Sequence, residues 1–245
     1  MLIDCGRAVA QRVMQAGLDL RRLRAVMLTH HHSDHVSDLP TLATARWVAG
    51  GHDPLTIIAP AGPCARYAQR CLDGFDDQAF YAQAGADAPP RPTLTVTAFT
   101  PAERPTAVFV QDGWSVTAAL VDHHPIEAAV GYRIDVHHRS VAISGDTAVC
   151  DGVAKLAADA DLLVHEAVRS DRASRQLLAW NASAHSVGEL ARSVGLPRLV
   201  LSHLLPAPQS ADDEAAFLAE ARSGGYEGDI VLARDLMVLE LGSPD

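Results

Sequence analysis

The heptapeptide Thr29–His35, with the sequence THHHSDH, decides the fold of this chain. It follows the apolar run Ala25–Leu28, which predicts a short buried strand that ends near Thr29. Imidazole and carboxylate groups at this density are ligands that divalent transition metals such as zinc or iron accept. We interpret the heptapeptide as the beginning of a two-metal hydrolytic site whose other ligands come from later strands.

The spacing within the heptapeptide separates two ligand pairs. In an extended backbone, side chains two residues apart share a face, so His30 and His32 point the same way and can bind one ion. Asp34 and His35 come where the chain turns into a helix and can serve a second ion nearby. A solvated His-rich loop, or a chance match, is the alternative interpretation.

Composition restricts the class of protein. The chain has 245 residues, 48% of them apolar and 20% charged, which is typical of a globular protein with a sizeable core. A net charge of −10 disfavours a polyanionic partner unless a local basic patch overrides it. No run of about 18 apolar residues and no signal peptide is visible, so we expect no membrane association. The four Cys lack paired metal or redox spacing, which indicates reduced thiols and a cytoplasmic location.

Strand and helix patterns alternate along the chain, without a composition break that would mark a linker. We therefore predict a single domain over residues 1–245 with a layered α/β arrangement. One helix is predicted over Val36–Ala49, and a final strand over Leu236–Leu241. The loops at 64–93 and 204–212 are expected to determine substrate selectivity.

Four later segments place polar residues where an apolar strand is predicted to end. A buried ionised group needs a partner, so His or Asp at such positions is poorly explained as core. One such residue would be unremarkable, but several after a His-rich motif favour a site. These residues are His123 and His124, Asp146, His165 and Glu166, and His203.

These residues together resemble the metallo-β-lactamase superfamily, in the branch of ribonuclease Z, arylsulfatases and small-molecule phosphodiesterases. The shared landmarks are THHHSDH, a His eight residues before Gly131-Tyr132-Arg133, Ser-Gly-Asp-Thr at 144–147, His165-Glu166-Ala167, Ala184-His185-Ser186, and Ser202-His203. The resemblance implies an αββα sandwich. Two strands that normally open the family fold have no counterpart before Leu2, which we interpret as a truncation, a misplaced start or a gap that a partner chain covers.

The resemblance also implies roles for individual residues. One ion takes His30, His32 and His123, with His124 as the alternative third ligand. The other ion takes Asp34, His35 and His203, and Asp146 bridges the two. Two zinc ions are expected, with manganese or iron possible, and they would hold a bridging hydroxide as nucleophile. Asp34 would orient that water, Glu166 corresponds to the acid of the branch, and His185 would stabilise or protonate the leaving oxygen. His165 is expected to point into the core.

The predicted function is hydrolysis of a small anionic ester, a phosphodiester before a sulfate ester. Ribonuclease Z carries a long basic arm between the Gly-Tyr-Arg segment and the bridging Asp, whereas Gly131 to Asp146 here has room for one hairpin, so tRNA is not the expected substrate. A ribonuclease Z-type tRNA 3′ endonuclease and an inactive or regulatory metal-binding protein remain the two alternatives. A homodimer is possible, because dimers are common in this branch.

Overall fold

The structure is a computed structural model that describes residues 1–74, 91–111 and 113–241. The backbone divides into two units, Met1–Thr100 and Pro101–Asp245. One domain over the whole chain therefore stays a prediction. Most of the loop 64–93, to which we assigned substrate selectivity, lies in 75–90, outside the described residues.

The first unit is built on a four-stranded parallel sheet in the order β1-β2-β3-β4. Residues of β2 are all buried, as expected for a parallel strand that is covered on both faces. Val26 and Leu28 pack with residues of β3 and the flanking helices in one apolar cluster. The strands span Leu2–Ile3, Ala25–Met27, Leu55–Pro60 and Leu94–Phe99.

The described helices of this unit are α1 (Val9–Gln15), α2 (Ser33–Val36), α3 (Leu39–Val48) and α4 (Pro63–Arg70). The single helix predicted over Val36–Ala49 is wrong, because the chain breaks between α2 and α3. Pro40 fits only the first turn of a helix. Asp38, just before α3, uses its carboxylate to accept the N–H of Ala10 in α1 at 2.7 Å.

The second unit is built on a seven-stranded mixed sheet in the order β11-β10-β9-β8-β7-β6-β5. Strands β5 to β8 pair antiparallel, whereas β8 to β11 pair parallel. The strands β5–β11 span Thr106–Gln111, Trp114–Leu120, Val130–Val136, Arg139–Ile143, Leu162–Val168, Arg198–Leu205 and Asp229–Leu232. A two-residue turn at His137 and His138 joins β7 to β8, and both side chains are exposed.

The helices of the second unit are α5 (Asp151–Ala157), α6 (Arg175–Trp180), α7 (Ala184–Ser193) and α8 (Ala211–Ser223). Residues of α5, α7 and α8 form one apolar core with the sheet. Two contacts require glycine, because a Cβ on Gly152 would lie 1.8 Å from the Leu120 carbonyl oxygen and one on Gly188 2.0 Å from that of Ala221. No described helix is long and apolar enough to cross a membrane.

Two of the predicted strand ends are wrong, and one predicted strand is not formed. His165 and Glu166 lie inside β9, and His203 lies inside β10, at a bulge between Ser202 and Leu204. The bulge gives His203 a φ of +42° and so changes the direction of its side chain. The strand predicted over Leu236–Leu241 is not formed, because the chain turns there, with a φ of +63° at Leu236.

Candidate metal centre

Asp4 organises the heptapeptide from the end of the neighbouring strand. Its carboxylate accepts the backbone N–H of Thr29 at 2.7 Å and the Thr29 hydroxyl at 2.8 Å. Because that hydroxyl hydrogen is used, the hydroxyl oxygen accepts from Nδ1 of the buried His30, at 3.0 Å. The proton of His30 is thereby fixed on Nδ1, and Nε2 presents a lone pair.

The same carboxylate also fixes His35. Oδ2 of Asp4 lies 2.7 Å from Nδ1 of His35, which is buried. A carboxylate that holds one imidazole nitrogen while the other binds metal is the usual support of metal-ligating histidines. Asp4 has a φ of +59°, and the backbone N–H of Cys5 donates to the His35 carbonyl at 2.7 Å. Asp4 was not among the site residues predicted from the sequence, although it directly follows β1 (Leu2–Ile3).

The ligand pairs of the first unit lie near the spacing that one ion requires. His30 and His32 have ring nitrogens within 4.8 Å of each other. Nε2 of His35 lies 3.7 Å from Oδ2 of Asp34. Two ligands of a tetrahedral zinc, with bonds of about 2.0–2.1 Å, stand roughly 3.3 Å apart. The donor set and the spacing therefore fit a divalent ion.

In the second unit, His123 and His124 have different environments. His123 is buried and its Nδ1 donates to the Trp180 carbonyl at the end of α6, at 3.1 Å. His124 is exposed. A fixed, buried imidazole with a backbone partner has the character of a metal ligand, which supports His123 as the third ligand.

Asp146 and His203 form the other ligand pair of the second unit. Nε2 of His203 lies 3.6 Å from Oδ2 of the buried Asp146. Asp146 follows β8 on a glycine turn, Gly145, with a φ of +64°, as the sequence analysis expected. The bulge in β10 allows His203 to approach Asp146 from inside a strand.

Thr147 links the loops that carry His123 and Asp146. Its backbone N–H donates to the buried Glu166 carboxylate, and its hydroxyl accepts from the N–H of Asp122 at 3.0 Å. Glu166 therefore contacts the backbone next to Asp146. This contact supports a positioning function for Glu166, whereas its direct part in catalysis stays a prediction.

His165 and His185, the other two histidines of the family motifs, contact groups of the protein itself. His165 is fully buried and its Nδ1 donates to the Glu166 carbonyl at 2.8 Å; burial lowers the pKa of His165 to about 4. Its core location is confirmed. His185 lies in the first turn of α7, where Nδ1 is 2.8 Å from the Ser223 hydroxyl and Nε2 is 3.6 Å from Glu189. Its part in catalysis stays a prediction.

A cleft of about 700 Å³ borders His123 in the second unit. One wall is formed by residues 120–127, after β6, and the other by residues 150–155 at the start of α5. Lys155 of this cleft is the only lysine in the chain. Sequence reasoning gave no signal for the cleft, because its walls are separated by more than twenty residues.

The cysteines are consistent with the expectation of reduced thiols. All four are free, and Cys5 and Cys64 are buried. Burial raises the pKa of Cys64 to about 12 and that of Cys71 to about 11. They are therefore uncharged thiols at neutral pH.

Comparison with known proteins identifies the family of the chain. Residues 1–204 match the beta-lactamase superfamily domain. A protein named ribonuclease Z from Mycolicibacterium gilvum (strain PYR-GCK) is 34% identical over 232 residues, which cover 89% of this chain and 79% of the relative. Ribonuclease Z from Mycobacterium bovis (strain BCG / Pasteur 1173P2) is 33% identical over 239 residues, with 92% and 84% covered.

Two solved structures show the fold. The metallo-β-lactamase fold protein YhfI from Bacillus subtilis superposes with a TM-score of 0.70 at 23% identity, over 96% of this chain and 85% of that protein. The short form of human tRNase Z superposes with a TM-score of 0.69 at 22% identity, over 98% and 88%. The metallo-β-lactamase fold predicted from the sequence is confirmed.

Proposed function

The chain belongs to the metallo-β-lactamase superfamily, in the branch that contains ribonuclease Z, and from that premise we propose that it hydrolyses phosphodiesters with two divalent cations. The first candidate substrate is a tRNA precursor, cut at its 3′ side. The observation that carries the proposal is the hydrogen-bonded set Asp4, Thr29, His30 and His35, which fixes the protons of two imidazoles before any metal arrives.

The ligand assignment is part of this proposal. One ion would be held by His30, His32 and His123, the other by Asp34, His35 and His203, and Asp146 would be a ligand shared by both. Zinc is the first candidate, since imidazole and carboxylate ligands suit it, and manganese or iron would accept the same set. Bound together, the two cations supply a nucleophile at neutral pH and offset the charge of the reacting phosphoryl oxygens.

Three side chains have further roles in the proposed reaction, and one of them, Asp34, is also a proposed metal ligand. Asp34 has an exposed carboxylate, 61% accessible, which can accept a proton from the attacking water and orient it. Glu166 keeps the Asp146 loop in place through Thr147. His185 can donate a proton to the leaving oxygen, with Ser223 and Glu189 to orient its ring.

The relatives change the order of the substrates that the sequence analysis predicted. The two relatives described above are both named ribonuclease Z, which supports the alternative of a tRNA nuclease over the small-ester hydrolase. The charge argument against tRNA also weakens, because the net charge is unevenly distributed. Met1–Thr100 carries nine basic and nine acidic residues, so the whole −10 belongs to Pro101–Asp245.

A small phosphodiester remains the second candidate for one structural reason. The segment between Gly131 and Asp146 is a hairpin with a two-residue turn, and it holds no basic arm that could bind an RNA. A substrate that needs no such arm is a small diester. Both candidates require the same ligands and the same chemistry at phosphorus.

The test is a substrate panel with purified protein whose metal content has been measured. The panel contains a precursor tRNA with a 3′ trailer, bis(p-nitrophenyl) phosphate, a p-nitrophenyl sulfate and a lactone. We expect a single cut at the 3′ side of the tRNA and slower hydrolysis of the chromogenic diester. Turnover of the diester alone would favour the second candidate. Two bound metals without turnover of any ester would refute the proposal and favour the inactive metal-binding protein.

A further inference from the structure

The cleft beside His123 is large enough for a ligand and touches a proposed metal ligand. Its volume of about 700 Å³ lies in the range of small-molecule sites, roughly 300–1,000 Å³. His123 itself lines it, so a group bound there would be adjacent to a phosphate at the metal centre. Leu120, Pro125 and Ile126 give one side of the cleft an apolar surface.

The charged side chains of the cleft have no partner among the residues that the structure describes. Glu103, Glu127, Asp151 and Lys155 form no side-chain hydrogen bond or ion pair with the residues that the structure describes. Asp151 and Lys155 are four residues apart on α5, a spacing at which opposite charges readily pair, yet no ion pair joins them. Acceptors and one cationic donor are therefore available to a ligand.

The balance of these groups indicates the kind of ligand. Carboxylates accept hydrogen bonds from hydroxyl and amino groups, and they repel phosphates. A single ammonium group suits one phosphate and not several. An apolar wall suits the flat face of a ring. A ribonucleoside has this combination: hydroxyls on its sugar, ring nitrogens and amino groups on its base, and one attached phosphate.

We propose that this cleft binds the nucleoside attached to the scissile phosphate. The ribose hydroxyls and base amino groups donate to Glu127 and Asp151, the base packs against Ile126, and Lys155 contacts the phosphate. This inference rests on the proposed phosphodiesterase function and gives its substrate a chemical class. A nucleoside within RNA and one within a small nucleotide diester have the same group, and the substrates below distinguish them.

The first experiment compares two diesters that differ in the nucleoside. One is the p-nitrophenyl ester of a nucleoside 5′-phosphate, and the other is bis(p-nitrophenyl) phosphate. We expect Glu127→Gln and Asp151→Asn to raise KM for the nucleoside ester roughly tenfold, the effect of one hydrogen bond to a charged group, with little change in kcat. The kinetic constants for bis(p-nitrophenyl) phosphate should stay within about twofold. Glu227→Gln, an exposed acid outside the cleft, is the matched control.

The second experiment measures binding without turnover. Adenosine, which has no phosphodiester to hydrolyse, is titrated calorimetrically into the metal-loaded protein, and saturable binding is expected that both cleft variants weaken and Glu227→Gln does not. Parallel assays with precursor tRNA and a dinucleotide show which source of the nucleoside is used.

The outcomes separate the two proposals. Adenosine binding that depends on the cleft, without hydrolysis of any diester, would overturn the proposed function and keep the cleft as a nucleoside site. Hydrolysis of both diesters with the same KM, unchanged in the cleft variants, would overturn the cleft proposal and leave the phosphodiesterase intact. An equal loss on both diesters would also overturn it, since the variants would then act on the metal centre.

Discussion

Asp4 supports two of the proposed metal ligands at once, His35 directly and His30 through Thr29. In the variant Asp4→Ala, His35 loses the partner of its Nδ1, and the Thr29 hydroxyl that contacts His30 loses the acceptor that orients it. We expect the affinity for zinc to fall about 10- to 100-fold, the usual cost of a lost outer partner. Competition with a chromogenic chelator measures it.

A matched variant excludes a general effect of removing an acid. Asp19→Ala removes an exposed carboxylate of the same unit that pairs only with its neighbour Arg21. Its zinc affinity should equal that of the unchanged protein. Equal affinities for Asp4→Ala and Asp19→Ala would refute the supporting function of Asp4.

Asp146 and His185 are expected to respond differently to substitution. Asp146→Ala should abolish activity and lower the metal content, because the proposed bridging carboxylate is lost.

His185→Ala should reduce turnover by about 10²–10⁴-fold, the contribution of a general acid, and leave the metal content unchanged. Metal analysis alongside turnover checks both. Full activity in Asp146→Ala, or metal loss in His185→Ala, would contradict these roles.

At the level of single residues, local spacing predicted part of the site and tertiary pairing supplied the rest. The heptapeptide ligands are within six residues of one another, so their pairing follows from backbone geometry. Asp4 acts on Thr29 and His35 across 25 and 31 residues. Nothing in a short sequence window marks such a contact. Its strained φ of +59° is likewise a property of the folded chain.

The contact between α7 and α8 leaves no space for a side chain at Gly188. A Cβ there would lie 2.0 Å from the Ala221 carbonyl oxygen, which is backbone and cannot turn away. We expect Gly188→Ala to cost about 2–4 kcal/mol of stability and lower Tm by roughly 5–15 °C. Gly74→Ala, with no atom within 4 Å of the added Cβ, is the control for thermal unfolding. Equal Tm values would show that the helices separate at little cost.

The start of β8 is connected to the start of β9 by the Asp161 carboxylate. Partial burial raises the pKa of Asp161, but hydrogen bonds from Ser140 and Arg139 outweigh it, so this pKa is lowered overall. The stability it contributes is therefore present above the unfolded pKa of about 3.9 and is lost as pH falls through the lower folded value.

The corresponding variant is Asp161→Asn. It should lower Tm at pH 7, by an amount equivalent to about 1–2 kcal/mol, and should have a flatter decline of Tm below about pH 4. Thermal unfolding of both proteins across that range measures it. Parallel curves for the two proteins would contradict the assignment.

Among the elements, regular strands were predicted better than irregular ones. The short buried strand predicted over Ala25–Leu28 is formed as β2 (Ala25–Met27), since a short apolar run is a local signal. His203 was expected after β10 and lies inside it, because a bulge interrupts the alternation that marks a strand. Leu236–Leu241 has strand-like composition without forming a strand. A strand requires a pairing edge, and sequence composition does not specify one.

The whole chain should gain stability from the metals that it is proposed to bind. A ligand at about 100 times its Kd stabilises the folded state by roughly 2.7 kcal/mol. Chelation with EDTA should therefore lower Tm by several degrees. Zinc added in excess over the chelator and the two proposed sites should restore the original Tm. The Asp146→Ala protein should respond less. A Tm that is the same with and without chelator would contradict a bound metal in the folded protein.

For the whole molecule, six short motifs in the right order were enough to predict the family. They did not identify the substrate. The overall charge of −10 was used against a nucleic acid, yet it belongs entirely to Pro101–Asp245. A sum over the chain contains no information about where charges lie. The order of candidate substrates changed for that reason and because of the names of the relatives.

The solitary lysine in the cleft makes one place on this protein chemically addressable. Amine-reactive esters acylate lysine side chains, and here Lys155 is the single side chain that they can modify. The yield of acylated Lys155, measured by mass spectrometry, shows whether the cleft is occupied. A compound that protects Lys155 from acylation is thereby shown to bind in the cleft, and the compound itself needs no label.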